Sequence, residues 1–159
     1  MTDRHTREAG FTLLEMVCVL AIVAILAAIL LPRAPTGTSR QRLEAFAVEA
    51  VTLLKFDRTS AVRGQRAVAT EIDVSARTIR SGSSTRAMQI PEDVQFSAML
   101  PERCNNRPAY SSISFFPTGM SCGGVLGLTR SGEGFEIRVN WLTGGIELVT
   151  RTNSYGRQG

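Results

Sequence analysis

The chain has 159 residues, 43% of them hydrophobic and 20% charged, enough for one modest core and too apolar for wholesale disorder. A formal net charge of +4, with Lys55 the only lysine among 18 basic residues, suits anionic partners, but the charge is spread along the chain. The only histidine is His5, so a protein trimmed of residues 1–10 has no Ser-His, Cys-His or His-metal chemistry, which points away from an enzyme.

Residues 1–10 are polar, with Asp3, Arg4, Arg7 and Glu8 cancelling in charge. From Phe11 to Leu31 only Thr12 and Glu15 interrupt the apolar character, and Met16–Leu31 is unbroken. A 21-residue helix there would be about 31 Å long, close to the hydrocarbon thickness of a bilayer. Pro32, Pro35 and Gly37 end or kink it. A cleaved secretory signal is a competing reading, but Pro-Arg-Ala-Pro is a poor cleavage site and the run is long for a signal core. A plain membrane anchor is the other, and it leaves Glu15 unexplained, because a carboxylate near the start of a spanning helix asks for a partner. Arg4 and Arg7 before the span and Arg33, Arg40 and Arg42 after it do not settle its orientation.

Residues 32–38 read as a breaker, and 39–159 as the globular domain. Thr38 and Gln41 have the spacing of a capping box opening a helix over 39–63. Within it Leu43, Phe46, Ala47, Ala50, Val51 and Leu54 form one apolar stripe that faces a core. Beyond Gly64 the period becomes two, and residues 65–150 read as β-rich. Val68, Thr70, Ile72 and Val74 alternate, Thr78–Arg80 is a return strand, and Ser81–Thr85 is a flexible loop. Val94, Phe96, Ala98 and Leu100 alternate again, as do Ile113 and Phe115, and Val125–Thr129 follows a Gly-Gly pair. The clearest strand is Phe135–Trp141, with sharply separated faces, joined across Thr143-Gly144-Gly145 to Ile146–Val149. One helix followed by six or seven strands is an α+β plan, a sheet wrapped against the C-terminal half of a long helix that is first transmembrane and then amphipathic.

Cys104 and Cys122 lie apart from Cys18, with no C-x-x-C and no histidine nearby, so no metal site is expected. In an oxidising compartment the two could pair, or they could remain two small hydrophobes. Glu92 and Asp93 are adjacent and therefore poor partners for acid/base work. Gly132-Glu133-Gly134 is a turn, and no phosphate loop, nucleotide fingerprint or cofactor motif occurs.

Gly10-Phe11-Thr12-Leu13-Leu14-Glu15, followed by an apolar helix reaching Pro32, resembles the type IV prepilin signature. The resemblance implies that residues 1–10 are a leader removed on the cytoplasmic face by a prepilin peptidase. It also implies cleavage between Gly10 and Phe11 and N-methylation of Phe11. Glu15 then lies one helical turn from the new amino terminus, where the Phe11 amine of a neighbouring subunit can neutralise it and set filament register. Ile113–Gly119, Gly123–Leu128 and Val139–Gly144, in that order, resemble the GspH/FimT group of minor pilins, whose two-sheet domains follow the pilin helix. The Trp141-Leu-Thr-Gly144 hairpin is more similar to the GspH branch, the minor pseudopilins of type II secretion.

The implied role is structural. The chain would be an inner-membrane, single-pass subunit with its C-terminal domain in the periplasm, near the tip of a pseudopilus that helps export folded proteins. Its implied partners are the major and minor pseudopilins, the prepilin peptidase and the inner-membrane assembly platform. The alternative is a FimT-like minor pilin of a type IV pilus, active in pilus assembly or in binding DNA for uptake. Arg151 and Arg157, flanking Tyr155, would then be phosphate contacts. The competing reading of that tail is a solvated C-terminus.

Overall fold

The computed structural model describes residues 12–30 and 37–152, in two compact units that divide between Thr36 and Gly37. Gly10, Phe11, the expected leader, most of the expected breaker, Tyr155 and Arg157 lie outside the described residues.

The first unit is helix α1, Leu13–Leu30. Thr12 opens it: its hydroxyl accepts a hydrogen bond from the Glu15 N–H at 3.2 Å, and its carbonyl accepts one from Met16. Thr12-x-x-Glu15 thus has capping-box spacing, so Glu15 stands at a helix-opening position as well as at the expected assembly position. Leu13, Val17, Leu20, Ile22 and Ile25 are all more than half exposed, so apolar side chains surround the helix instead of forming a stripe. Among the described residues no helix is long and apolar enough to cross a membrane. The 18 residues of α1 cover about 27 Å, short of a bilayer core, and Phe11 and Leu31, the ends of the expected span, lie outside them.

The second unit begins with helix α2, Arg40–Arg63. Its N-cap is Ser39, whose hydroxyl accepts from the Arg42 N–H at 3.3 Å. The expected capping box at Thr38 and Gln41 does not form, because the Thr38 hydroxyl is spent on Asp93 at 2.8 Å. Gly64 closes the helix, its N–H bonded to the Ser60 carbonyl. Leu43, Ala47, Ala50, Val51 and Leu54 of the expected stripe are buried, joined by Leu53 and Ala61, while Phe46 is partly buried against them.

Ten strands follow: β1 Val68–Asp73, β2 Thr78–Arg80, β3 Ala87–Gln89, β4 Gln95–Met99, β5 Arg103–Cys104, β6 Arg107–Pro108, β7 Ser112–Phe115, β8 Gly124–Arg130, β9 Glu133–Val139 and β10 Ile146–Thr152. The expected six or seven omitted the short β3, β5 and β6, which are too brief to show a period. They form two four-stranded antiparallel sheets, β3-β2-β1-β7 and β10-β9-β8-β4, and a ribbon β5-β6. The single sheet expected from the strand pattern is divided because β4 joins the second sheet and β7 returns to the first. The inner faces of both sheets and α2 share one core, with Leu54, Ile79, Ile113, Phe115, Leu126, Leu128 and Ile137 fully enclosed. The arrangement is α+β, as the pattern of one helix stripe and many alternating strands required.

Two expectations about strand faces fail locally. Val74 lies beyond β1 and is exposed, because the chain turns there. In β9, Gly134 through Ile137 are all buried, including Glu136 on the outer face, since Arg138 and Arg151 cover its carboxylate at 2.6 and 3.4 Å. Ser81–Thr85 is not a free loop either, as its contacts with Asp57 demonstrate.

Candidate functional site

Of the sequence-predicted site residues, Glu15 is in the first turn of α1 and exposed, with its backbone N–H tied to Thr12. Cys18, a free cysteine one turn later, is also exposed. The processing pair Gly10 and Phe11 lies outside the described residues, so the distance from Phe11 to Glu15 is not part of the geometry.

Three polar clusters in the second unit hold its form, and the sequence announced none of them. The first is centred on Asp57, which is fully buried on the sheet-facing side of α2. Its carboxylate accepts from the hydroxyls of Thr70 (2.7 Å), Ser81 (2.6 Å) and Ser83 (2.5 Å), and from the Gly82 N–H (3.0 Å). Burial pushes its pKa up, but hydrogen bonds from Ser81, Ser83, Thr70 and Gly82 outweigh that and hold the carboxyl below the usual carboxylate range. The helix is thereby pinned to β1 and to the loop after β2. A side chain at Gly82 would overlap the Ala69 carbonyl, so glycine is needed at that close approach.

The second cluster stands at the entrance to α2. Asp93 accepts from the Thr38 N–H (2.6 Å) and hydroxyl (2.8 Å) and pairs with Arg130 at 3.0 Å, while Arg130 also donates to the Thr38 carbonyl. The Thr38 backbone bond and then its hydroxyl hold the Asp93 carboxyl below the usual range against the opposing effect of burial, with the Arg130 charge adding to the lowering. Asp93 is thus a clamp between the start of α2 and β8. Glu92 has no comparable contact among the described residues.

The third cluster joins two of the three motifs that carried the family resemblance, Ile113–Gly119 and Val139–Gly144. Arg58 of α2 donates to the Gly119 carbonyl at 3.3 Å and to the Thr143 carbonyl at 3.1 Å. The Ser121 N–H and hydroxyl bind the Trp141 and Asn140 carbonyls, and the Cys122 N–H binds the Ser114 carbonyl. Segments separated in sequence thus meet at one corner, where Gly144, at φ +62°, lies so close to Gly119 that a Cβ would overlap its carbonyl oxygen.

Cys104 of the ribbon and Cys122 before β8 stand with Cα atoms 5.7 Å apart and their sulfurs joined. Arg151 of β10, the described half of the predicted phosphate-contacting tail, is turned toward Glu136 of its own chain at 3.4 Å. Trp141 and Leu142 at the hairpin, and Met99 at the end of β4, are exposed apolar residues. Among the described residues no group of His, Cys, Asp and Glu is arranged to hold a metal ion.

The family described as a prokaryotic N-terminal methylation motif matches residues 5–31. The structure of the minor pseudopilin EpsH from the Vibrio cholerae type 2 secretion system is similar, with a TM-score of 0.55 at 16% identity. The match covers 68% of this chain and 96% of EpsH. The type IV minor pilin FimU of Pseudomonas aeruginosa matches with a TM-score of 0.53 at 17% identity, over 70% of this chain and 91% of FimU. A comparison with curated proteins finds no match. At these identities the structural likeness is one of fold, and it is to pilin-type proteins, not to enzymes. A prokaryotic N-terminal methylation motif thus stands at residues 5–31, and the chain that follows it has a fold similar to that of the minor pseudopilin EpsH and the minor pilin FimU.

Proposed function

We propose that this protein is a minor pseudopilin of a type II secretion system, a structural subunit near the tip of a periplasmic pseudopilus that helps export folded proteins. The observation that carries the reading is the combination of the methylation motif over residues 5–31 with the fold of the Vibrio cholerae minor pseudopilin. Prepilin peptidase cuts between Gly10 and Phe11, and Phe11 is N-methylated. The apolar segment 11–31 holds the chain in the inner membrane with residues 39–159 in the periplasm, where Cys104 and Cys122 are oxidised. On extraction into the filament, the Phe11 amine of one subunit neutralises Glu15 of the next. Major and minor pseudopilins and the assembly platform are the partners, and no cofactor takes part.

Secreted enzyme activity in the medium of a strain lacking the gene tests this. Activity should fall and return on complementation. Unchanged secretion would overturn the secretion role and move attention to a type IV pilus.

The second reading, a FimT-like minor pilin, draws on the likeness to FimU. Its DNA-uptake form depends on Arg151 and Arg157, and the pairing of Arg151 with Glu136 counts against Arg151 as a free phosphate contact. Salt-dependent DNA binding by the full chain, weakened by Arg151→Ala and Arg157→Ala, would favour it. No binding at low salt would remove it.

A further inference from the structure

The two sheets have four edge strands, and three of them stop short. β3, β4 and β7 have three, five and four residues, and each is followed two residues on by a proline, Pro91, Pro101 and Pro117. Short strands ended by proline are a standard protection against edge-to-edge pairing. The fourth edge, β10, has seven residues, no proline and no bulge against β9, and among the described residues nothing pairs with its other side.

The sequence of that edge is complementary to itself. In an antiparallel pair centred on Val149, Glu147 of each copy stands opposite Arg151 of the other, on the outer face, and Leu148 stands opposite Thr150 on the inner face. Glu147 is exposed, and Arg151 keeps a side-chain exposure of 66% while leaning on Glu136. Its five-donor fork can therefore serve a second carboxylate. Leu148, at the rim of the core and 37% exposed, would gain cover. Opposite charges directly across an antiparallel pair favour it, and a twofold contact repeats the favourable pair twice.

We propose that β10 is a pairing edge for a second copy of this chain, joining two four-stranded sheets into one of eight strands through an isologous contact centred on Val149. One strand pair is small beside a stable dimer interface, so the contact is transient and is best trapped covalently.

The test uses the full chain in membranes of the producing cell, in a Cys18→Ala background. Val149→Cys should give a reducible dimer on mild oxidation, whereas Glu71→Cys, on the outer face of the first sheet, should not. Circular dichroism of each purified variant verifies that the fold is kept. With Val149→Cys present, Glu147→Arg alone and Arg151→Glu alone should each lose the dimer band. Differently tagged chains carrying one change each should recover it as the mixed dimer only. The proposal is overturned by absence of the Val149→Cys dimer, by a band equally strong in the single charge variants, or by crosslinking of Val149→Cys solely to a different protein.

Discussion

Asp57 shows how one buried residue can organise a domain. Its carboxylate collects hydrogen bonds from a strand and a loop that are 13 to 26 residues away in sequence. Removing its charge strands hydroxyl donors in a buried setting, at a cost of several hydrogen bonds to a charged acceptor. Asp57→Asn should lower unfolding stability by about 3 kcal/mol in chemical denaturation, and a loss below about 1 kcal/mol would show the cluster to be incidental. The pH dependence has a definite sign. A carboxyl held below its unfolded value contributes stability that is complete above about pH 4 and is lost as pH falls through the folded value. Stability of the wild type should therefore decline below about pH 4, and Asp57→Asn should flatten that decline. Gly144 is the second sensitive residue. Gly144→Ala adds a methyl at a positive φ against the Gly119 carbonyl, with an expected loss of about 2 kcal/mol or more by thermal unfolding.

Among the elements, helix α2 and the long strands were legible because their periods run for many residues. The stripe Leu43–Leu54 and the β9–β10 hairpin needed no tertiary information beyond a core to face. The ribbon β5–β6, two residues per strand, was not legible, since nothing so short can show alternation. It is held to the start of β8 through Cys104 and Cys122, which are 18 residues apart. In the chain-entropy account a loop of that length is worth about 3 kcal/mol. The Cys104→Ser, Cys122→Ser double variant should therefore melt roughly 10 °C lower, and the wild type should fall to match it in reductant. Equal midpoints for wild type with and without reductant would show that the pair is not oxidised in solution.

At the scale of the whole molecule, α1 and the second unit divide the work. An apolar helix with side chains exposed all round has no core of its own to enter, so it must find an apolar medium or other helices. Glu15 is its one charged residue, and in the proposed filament it acts between subunits. Glu15→Ala should leave leader cleavage largely intact, as judged by the size of the mature chain, while incorporation into sheared filaments falls severalfold. Normal incorporation of that variant would defeat the charge pairing with Phe11.

The sequence by itself determined the N-terminal motif, the apolar segment, the α+β class and the order of the main strands. These depend on local spacing: a period of 3.6 or 2, a proline, or a glycine-aromatic-glutamate signature within a few residues. Tertiary structure alone decided which strands enter which of the two sheets, that Asp57 and Asp93 are clamps, and that Arg151 answers to Glu136. It also decided that Thr38 binds Asp93 and leaves the capping of α2 to Ser39. The contacts that decide these outcomes join residues from 13 to 55 positions apart, where a polar side chain's role is set by whichever donor or acceptor the folded chain brings into reach, and no local pattern encodes that distance.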